Sequence, residues 1–198
     1  MNDDVIKGHS NKFYHEIVET LVQSIQPFDE LEVCHQKDAL NWIYSGVPLC
    51  RSVKPDTPPK HLVSYFTLVD PEVKKLLLVD HKKALLWLPP GGHVEPGEHP
   101  NDTAHRELHE ELGVKLSLLN PEPLFLTVTE TVGTTAGHID VSLWYVFLAD
   151  SSHKYSYDQT EFNEIKWFSF DELPFEKTDP HLNRFCAKLS QLLPDKRD

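Results

Sequence analysis

The amino-terminal part of the chain has the hydrophobic spacing of helices. Apolar side chains recur about every fourth residue, at Phe13, Ile17, Leu21 and Ile25. Pro27 interrupts this pattern, and a second stretch without strand-like alternation runs from Phe28 to Tyr44. Two short amphipathic helices need a larger surface to cover. We therefore predict a helical hairpin, from Asn11 to Tyr44, that packs on the rest of the protein.

A proline-rich connector marks a change in pattern. The segment Lys54–Pro59 contains Pro55, Pro58 and Pro59 and favours an extended linker. Beyond it, short apolar runs alternate with turn residues, which is typical of strands. We therefore divide the chain into residues 1–57, the helical hairpin with its linker, and residues 58–198, the main domain.

The main domain mixes predicted strands and helices without a regular βαβ alternation. Such a mixture favours a mixed α/β fold over a doubly wound parallel sheet. We expect strands at His61–Val69, Lys75–Asp80, Ala84–Leu88, Glu122–Thr131, Ile139–Leu148 and Glu164–Phe168, and helices at Glu98–Leu112 and His181–Leu193. The Pro-Pro-Gly-Gly segment at residues 89–92 should end the third strand.

Composition and charge exclude several classes of function. A hydrophobic content of 39% suffices for a core, and the net charge of −12 argues against a nucleic-acid polymer as partner. A small phosphorylated substrate remains compatible, because a divalent metal offsets the repulsion between acidic groups. No apolar run is long enough to span a bilayer, and Met1–Ser10 lacks the apolar centre of a signal peptide. We expect a cytoplasmic protein without a membrane partner.

The predicted helix Glu98–Leu112 is rich in glutamate. At about 100° per residue, Glu111 lies about 40° to one side of Glu107, and Glu110 about 60° to the other. The carboxylates thus share one face, next to an apolar stripe formed by Ala104, Leu108 and Leu112. Such a face is either an ordinary solvated acidic surface or an oxygen-ligand site that suits Mg²⁺ or Mn²⁺.

The wider spacing around this helix distinguishes the two interpretations. Gly92 is followed by five residues, Glu98, seven residues, and then Arg106-Glu107-Leu108-x-Glu110-Glu111-x-Gly113-Val114. This is the complete Nudix box, which would arise by chance in this chain on the order of one time in ten million. The chain therefore resembles the Nudix hydrolase superfamily. The resemblance extends from about His61 to Pro174, and the helical amino terminus lies outside it.

The resemblance implies a fold, a reaction and a cofactor. The fold would be a Nudix-type α/β/α sandwich around a mixed sheet, with an N-terminal helical extension. The reaction would be hydrolysis of a pyrophosphate bond in a small nucleoside-diphosphate-linked metabolite, dependent on Mg²⁺ or Mn²⁺. The substrate would be a small phosphorylated metabolite, and the enzyme a pyrophosphohydrolase.

Residue roles follow by similarity to the Nudix box. Glu107, Glu110 and Glu111 are expected to bind metal with the carbonyl of Gly92, and one of these glutamates could instead accept a proton from water. Arg106 and Glu98 are expected to orient the helix, although a purely structural ion pair is the alternative. The catalytic candidates are therefore Glu107, Glu110 and Arg106.

The resemblance also implies a further metal ligand, because many members of the family add a glutamate from a loop across the site. Glu161 and Glu164 are the candidates, and Glu161 is preferred because it lies in the predicted loop before a strand. A solvated loop carboxylate is the alternative for Glu161.

Four histidines near the box also need an interpretation. His93 and His138 are candidate substrate-binding residues, since one follows the glycine turn and the other precedes a strand that should border the site. His105 and His109 have the i, i+4 spacing of zinc ligands, but they project away from the glutamates on the helical wheel. We expect those two to be surface histidines.

Two other functions stay open at this point. The chain could be a non-catalytic nucleotide-binding domain of the same fold, although a pure binder does not need the complete set of glutamates. It could also be a Nudix-fold isomerase of an isoprenoid diphosphate, which needs a protonating group such as a cysteine. None of Cys34, Cys50 and Cys186 lies in the predicted site. The N-terminal hairpin could cover the sheet, cap the cleft or form a homodimer contact.

Overall fold

The structure is a computed structural model that describes residues 3–54, 57–132 and 136–193, with side chains described from residue 12 onward. Its helices are α1 (Asp3–Ser24), α2 (Glu30–Tyr44), α3 (Pro100–Leu112) and α4 (Leu182–Ser190). Its strands are β1 (Lys60–Asp70), β2 (Lys75–His81), β3 (Leu86–Leu88), β4 (Gly91–His93), β5 (Phe125–Glu130), β6 (Ile139–Leu148) and β7 (Phe162–Ser169). A short 3₁₀ helix covers Phe175–Lys177.

The strands form one mixed sheet. Its main path runs β3-β2-β1-β6-β5, with β4 paired to β1 and β7 paired to β2. The central pair β1 and β6 is parallel, with His61 opposite Asp140 and Val69 opposite Leu148, and the other pairs are antiparallel. The predicted mixed sheet is therefore confirmed.

Helices cover both faces of this sheet, because side chains alternate along each strand. Leu62, Phe66 and Leu68 of β1 join a core with residues of α1, α2 and α3, and we name this side the α3 face. Val69 of β1 belongs to a second core with Phe185 and other residues of α4, and we name this side the α4 face. This arrangement confirms the predicted α/β/α sandwich.

Helix α3 has clear signals at both ends. Pro100 occupies its first turn, where the missing N–H is not needed, and the side chain of His99 caps it by accepting a hydrogen bond from the N–H of Asn101. Gly113 follows in the left-handed conformation at φ 69°, so the helix ends at Leu112, as predicted. Between these ends, Ala104, Leu108 and Leu112 are fully buried, so the predicted apolar stripe holds the helix on the sheet.

The N-terminal helices pack against the main domain. Glu32 of α2 is fully buried, and its carboxylate accepts hydrogen bonds from Lys188 Nζ at 2.9 Å and from the N–H of Leu126 at 3.2 Å. Asp29, at the start of α2, accepts a hydrogen bond from Arg184 Nε at 2.7 Å. Helix α1 begins at Asp3, earlier than the predicted Asn11. The helices thus cover the sheet, while the domain boundary at residue 57 stays a prediction.

Strand β4 is the main difference from the predicted elements. The glycine segment was expected only to end the preceding strand, yet Gly91–His93 pairs with Val63–Tyr65 of β1. A Cβ built on Gly91 would collide with the backbone of Ser64 and Tyr65. The close approach of the two strands therefore requires glycine there. None of the helices in the described ranges combines the length and apolar character that a bilayer crossing requires.

Candidate active site

The site forms where β4 lies against helix α3. A Cβ built on Gly92 would collide with the carboxylate of Glu107. The glycine therefore gives the carboxylate room next to the backbone of β4, whose carbonyl group is a potential oxygen ligand. The Gly-Gly sequence thus serves two contacts, since Gly91 approaches β1 and Gly92 approaches α3.

The carboxylates of α3 differ in their exposure. The side chain of Glu111 is buried, that of Glu107 is 14% exposed, and that of Glu110 is 58% exposed. Burial raises the pKa of Glu111 well above its ordinary value, and the neighbouring Glu107 and Glu161 raise that pKa further. Burial also raises the pKa of Glu107, against the lowering effect of Arg106. The helix thus presents a graded set of carboxylates from the interior to solvent.

A loop before β7 adds acidic groups to this helix face. Glu161 lies directly before the strand, as predicted, and its charge raises the pKa of both Glu107 and Glu111. The sequence analysis missed Asp158, whose N–H donates to the carbonyl of Glu111 at 2.8 Å and whose charge also raises the pKa of that residue. No spacing rule connects Asp158 to the helix, so only the fold shows its position.

The alternative loop ligand, Glu164, lies elsewhere. Ile165 and Trp167 pack against the core on the α3 face. Because side chains alternate along a strand, Glu164 of β7 projects to the opposite side. Its side chain is exposed. Of the two candidates, Glu161 is therefore the one whose charge acts on the glutamates of α3, and its role as a metal ligand stays a prediction.

The carboxylate cluster fits a divalent cation. By cluster we mean Glu107, Glu110, Glu111 and Glu161. The buried Oε2 atom of Glu111 makes no hydrogen bond within the described residues, although an unpaired buried carboxylate oxygen is costly. Grouped carboxylates repel one another unless protons or a cation balance them. Hard oxygen ligands of this kind suit Mg²⁺ or Mn²⁺.

Arg106 connects the cluster to the preceding loop. Its guanidinium donates to both carboxylate oxygens of Glu98, each at 2.9 Å, and to the carbonyl of His93 at 3.3 Å. It also donates to Glu107 at 2.6 Å and approaches Glu110 at 3.4 Å. A planar guanidinium holds such a bidentate geometry rigidly. Arg106 therefore fixes the loop that carries Glu98 relative to the carboxylates of Glu107 and Glu110.

The carboxylate of Glu98 is held in place by hydrogen bonds from its own loop and from α3. Thr103 Oγ1 donates to Glu98 Oε2 at 2.7 Å, and the N–H of Glu95 donates to the same oxygen at 3.2 Å. These bonds and the pairing with Arg106 lower the pKa of Glu98, despite the opposing effect of burial. Glu98 thus remains a charged partner that orients Arg106.

His93 and His138 come together, but on the other side of the sheet. Since the Gly92 position faces Glu107, the side chain of the next residue, His93, projects to the α4 face. It meets His61, His138 and Asp140, and one potential ligand atom from each lies within 4.8 Å of the others. Burial lowers the pKa of His93 to about 3. The substrate contacts expected for His93 and His138 stay a prediction.

The sequence analysis did not single out His61 and Asp140. His61 lies near the start of β1 and Asp140 lies opposite it in β6. Their pairing across two parallel strands is long-range and has no local signature. The His138-x-Asp140 spacing was the available signal, because alternate residues of a strand project to one face.

Several other histidine, tryptophan and cysteine side chains lie outside both groups of residues. His105 and His109 are exposed on α3, which confirms that they are surface histidines. Trp144 is fully buried and its indole N–H donates to Thr127 at 3.0 Å, so it belongs to the core. Cys50 is buried, and its thiol lies 3.2 Å from the hydroxyl of Tyr14.

Comparisons with known proteins agree with this geometry. A family model described as NUDIX domain matches residues 60–189. The Nudix hydrolase YvcI of Bacillus subtilis is 31% identical over 124 residues, which is 60% of this chain and 75% of that protein. The asymmetrical bis(5′-nucleosyl)-tetraphosphatase of Mus musculus is 54% identical over 33 residues, 17% of this chain and 22% of that enzyme.

A solved structure supports the same relationship. The crystal structure of a NUDIX-family hydrolase from Clostridium perfringens superposes with a TM-score of 0.54 and 25% identity. The match covers 68% of this chain and 98% of that one. The superposition therefore includes nearly all of the Clostridium perfringens protein and about two thirds of this chain.

Proposed function

The chain belongs to the Nudix family of hydrolases, and we propose that it uses Mg²⁺ or Mn²⁺ to hydrolyse a pyrophosphate bond in a small nucleoside-diphosphate-linked metabolite. The observation that carries the proposal is the convergence of Glu107, Glu111 and Glu161 beside the backbone of Gly92. Pyrophosphohydrolase chemistry is the general activity of this family. The substrate class and the metal are our proposal.

The state of the carboxylates favours catalysis over simple nucleotide binding. A binding domain would gain nothing from burying Glu111 next to other acidic groups, because such burial is costly without a cation. Arg106 and Glu98 form a bidentate pair that holds this arrangement together. The energetic cost of holding the carboxylate cluster rigidly is explained by a role in stabilising charge during a reaction.

Divalent metal bound at this site would supply positive charge for the phosphates and for the negative charge that develops on them. Glu107, Glu110, Glu111, Glu161 and the carbonyl of Gly92 are the groups of this chain that would hold them. The net acidity of the protein makes this compensation necessary for an anionic substrate.

The chain's own residues perform the proton transfer and the positioning. A water molecule attacks one phosphorus of the pyrophosphate, the bond from that phosphorus to the bridging oxygen breaks, and the second phosphate leaves. Glu110 is our candidate to accept the proton of the water, since it is the most exposed carboxylate of the three on α3. Glu107 is the alternative. Arg106 positions Glu107 and Glu110 through its hydrogen bonds.

A panel of pyrophosphate compounds tests the proposal. Purified protein is incubated with nucleotide sugars, nucleoside triphosphates and dinucleoside polyphosphates, each with Mg²⁺, with Mn²⁺ and with chelator. We expect hydrolysis of at least one class of compound, and we expect it only with added metal. Tight nucleotide binding without product would instead favour the non-catalytic binding domain.

A matched pair of variants tests the role of Glu161 in the carboxylate cluster. Glu161→Gln removes one charge beside Glu107 and Glu111, whereas Glu164→Gln removes the same charge three residues later, on the opposite side of β7. We expect the first variant to lower kcat at limiting Mg²⁺ by about 10-fold to 100-fold, and the second to leave kcat unchanged. Equal effects of the two variants would remove Glu161 from the site.

A further inference from the structure

We propose that the protein has a second metal centre, specific for Zn²⁺ or a similar late transition metal, formed by His61, His93, His138 and Asp140 on the α4 face of the sheet. We name these residues the histidine cluster. The inference does not depend on the proposed hydrolase function. It concerns different residues, a different class of ion and the opposite face of the sheet.

The potential ligand atoms of the histidine cluster lie at separations that suit a zinc ion. Asp140 Oδ1 lies 3.3 Å from His61 Nε2 and 3.4 Å from His138 Nε2. Around a tetrahedral zinc ion, ligand atoms at ordinary zinc–nitrogen and zinc–oxygen distances are separated by about 3.3 Å. The fourth ligand, from His93, completes a set in which every pair of ligand atoms lies within 4.8 Å.

The histidine cluster contains buried polar atoms that lack hydrogen-bond partners within the described residues. His61 Nε2, His93 Nε2 and Asp140 Oδ1 are buried and make no hydrogen bond within the described residues. His61 is fully buried, and the side chain of Asp140 is only 15% exposed. Buried polar atoms without partners are rare and costly in folded proteins. Here the atoms face one another, so one cation would satisfy all of them.

The tautomer of His61 strengthens this point. Its Nδ1 lies 2.7 Å from the carbonyl oxygen of Pro58. A carbonyl oxygen can only accept, so Nδ1 carries the hydrogen and Nε2 of the neutral ring has a lone pair. That lone pair faces the carboxylate of Asp140, which also has only lone pairs to offer. Metal-bound histidines characteristically donate their other N–H to a backbone carbonyl in this way.

His138 has a similar supporting contact. Its Nδ1 lies 3.2 Å from Thr131 Oγ1, while its Nε2 faces Asp140. The ring also stacks on that of His61, with a centroid separation of 4.9 Å and an interplanar angle of 26°. Both imidazoles thus keep one nitrogen for a second contact and turn the other towards the shared carboxylate.

A proton alone explains the arrangement less well. One proton between Asp140 and His61 would satisfy that pair, but His93 Nε2 would keep no partner. Protonating several rings would place like charges in contact, since the centroids of His61 and His93 are 4.8 Å apart. A single divalent ion avoids both costs, because each ring stays neutral while its lone pair is used.

The ligand set also identifies the class of metal. Imidazole ligands with one carboxylate suit zinc and neighbouring transition metals, whereas Mg²⁺ prefers oxygen ligands and retains water. Four ligands from the protein make a closed site of the structural type, without an open position for a substrate. The ion would join β4 to the parallel pair β1 and β6, directly behind the glycine that faces Glu107.

Zinc content tests the proposal. The full chain, freed of any affinity tag, is purified from zinc-supplemented cells, and its metals are measured by mass spectrometry. Metal-free protein is then titrated with Zn²⁺ against a chromophoric chelator in the presence of excess Mg²⁺. We expect about one zinc per chain, retained against Mg²⁺. In His138→Gln and Asp140→Asn we expect zinc affinity to fall at least about tenfold.

The matched control is the other histidine pair with metal-ligand spacing. The double variant His105→Ala/His109→Ala removes the two exposed histidines of α3 and should retain full zinc affinity. Loss of zinc in this variant, with retention in the cluster variants, would overturn the proposal. Zinc absent from the wild-type protein after both purification and titration would overturn it as well.

A measurement on wild-type protein covers the case in which a cluster variant fails to fold. X-ray absorption at the zinc edge, or the visible spectrum after replacement with Co²⁺, reports the ligands directly. We expect a tetrahedral site with three imidazole nitrogens and one oxygen. An all-oxygen or six-coordinate site would place the ion at the glutamates and contradict the proposal.

Discussion

Two clusters of ligating side chains lie back to back across the same short strand. Gly92 of β4 faces the carboxylates of α3, whereas its neighbour His93 faces the imidazoles and the carboxylate of the α4 face. One cluster contains mainly oxygen donors and remains partly open to solvent at Glu110. The other has three imidazoles and is closed, with His61 fully buried.

The difference shows how the pleat of a strand separates two kinds of chemistry. Adjacent residues project to opposite faces, so a single dipeptide contributes to both clusters without mixing them. Oxygen donors with an open side suit a hard ion that exchanges with substrate. Buried imidazoles with few open positions suit a borderline ion that stays bound. The proposed roles, catalytic on one side and structural on the other, follow from this contrast.

The largest effect is expected when charge is removed from the proposed catalytic side only. In Glu110→Gln and Glu111→Gln we expect kcat to fall by about 10²-fold to 10⁴-fold, because a proton acceptor or a metal ligand is lost. The same variants should keep the circular dichroism spectrum and the zinc affinity of the wild type. Unchanged turnover in either variant would remove that residue from the catalytic assignment.

The next largest effect should come from the shared strand itself. Gly92→Ala adds a methyl group where the carboxylate of Glu107 lies, and a displacement of about 1 Å in a catalytic group can cost about 100-fold in rate. We expect kcat to fall by about that factor. The control is Gly46→Ala, which strains a backbone at φ 72° but has no atom within 4 Å of the added group.

These two glycine variants should differ in kind. Gly46→Ala should lower the free energy of unfolding by about 1 kcal/mol and leave kcat unchanged, since Gly46 lies at the end of α2. If Gly92→Ala kept wild-type kcat, the contact between β4 and Glu107 would have no catalytic significance.

A smaller effect is expected from the residue that holds the catalytic side together. Arg106→Lys keeps the charge but loses the bidentate contact with Glu98. We expect kcat to fall by about tenfold, with the metal concentration for half-maximal rate rising as well. Steady-state kinetics over a range of Mg²⁺ concentrations measures both. A fall in thermal stability without any kinetic change would assign Arg106 a purely structural role.

The smallest effect concerns histidines that lack the surroundings of the histidine cluster. His181 and His35 contact each other edge to face, and Arg184 donates to Nδ1 of His181 at 2.9 Å. Burial, followed by the charges of His35 and Arg184, lowers the pKa of His181 to about 4. Between pH 6.5 and 4 the unfolded chain therefore binds a proton that the folded chain does not.

Stability should consequently fall as the pH is lowered through this window. After allowance for solvent screening, we expect His181 to contribute about 1 kcal/mol to that loss. In His181→Asn the free energy of unfolding, measured with urea at several pH values, should depend less steeply on pH from 6.5 to 4. The same replacement at exposed His109 is the control, and an identical slope in both variants would contradict the assignment.

The residues of the proposed catalytic side could be grouped from the sequence far better than those of the opposite side. Glu107, Glu110 and Glu111 share a helix, so local periodicity and the motif spacing were sufficient to group them with Gly92. How deeply each of these glutamates is buried could not be predicted. A helical wheel gives the direction of each side chain, but it does not show the loop that brings Asp158 against Glu111. Strand β4 was missed because its glycines resemble a turn in sequence, and only the close approach to β1 makes them a strand.

The histidine cluster depends on contacts that are distant in sequence. His61 and Asp140 meet because β1 and β6 pair in parallel with a fixed register, and β4 adds His93 from a third segment. A single sequence has no local signal for such a register. His93 and His138 were singled out individually, yet their shared surroundings became apparent only in the fold.

Anomalous diffraction from crystals grown with Mn²⁺ would locate the ion beside α3. We expect a manganese peak among Glu107, Glu111 and Glu161, within bonding distance of the carbonyl of Gly92. Mn²⁺ found only between His61, His138 and Asp140 would contradict the proposed catalytic site. The absence of Mn²⁺ from both clusters, together with a protein that hydrolyses no pyrophosphate compound, would contradict it as well.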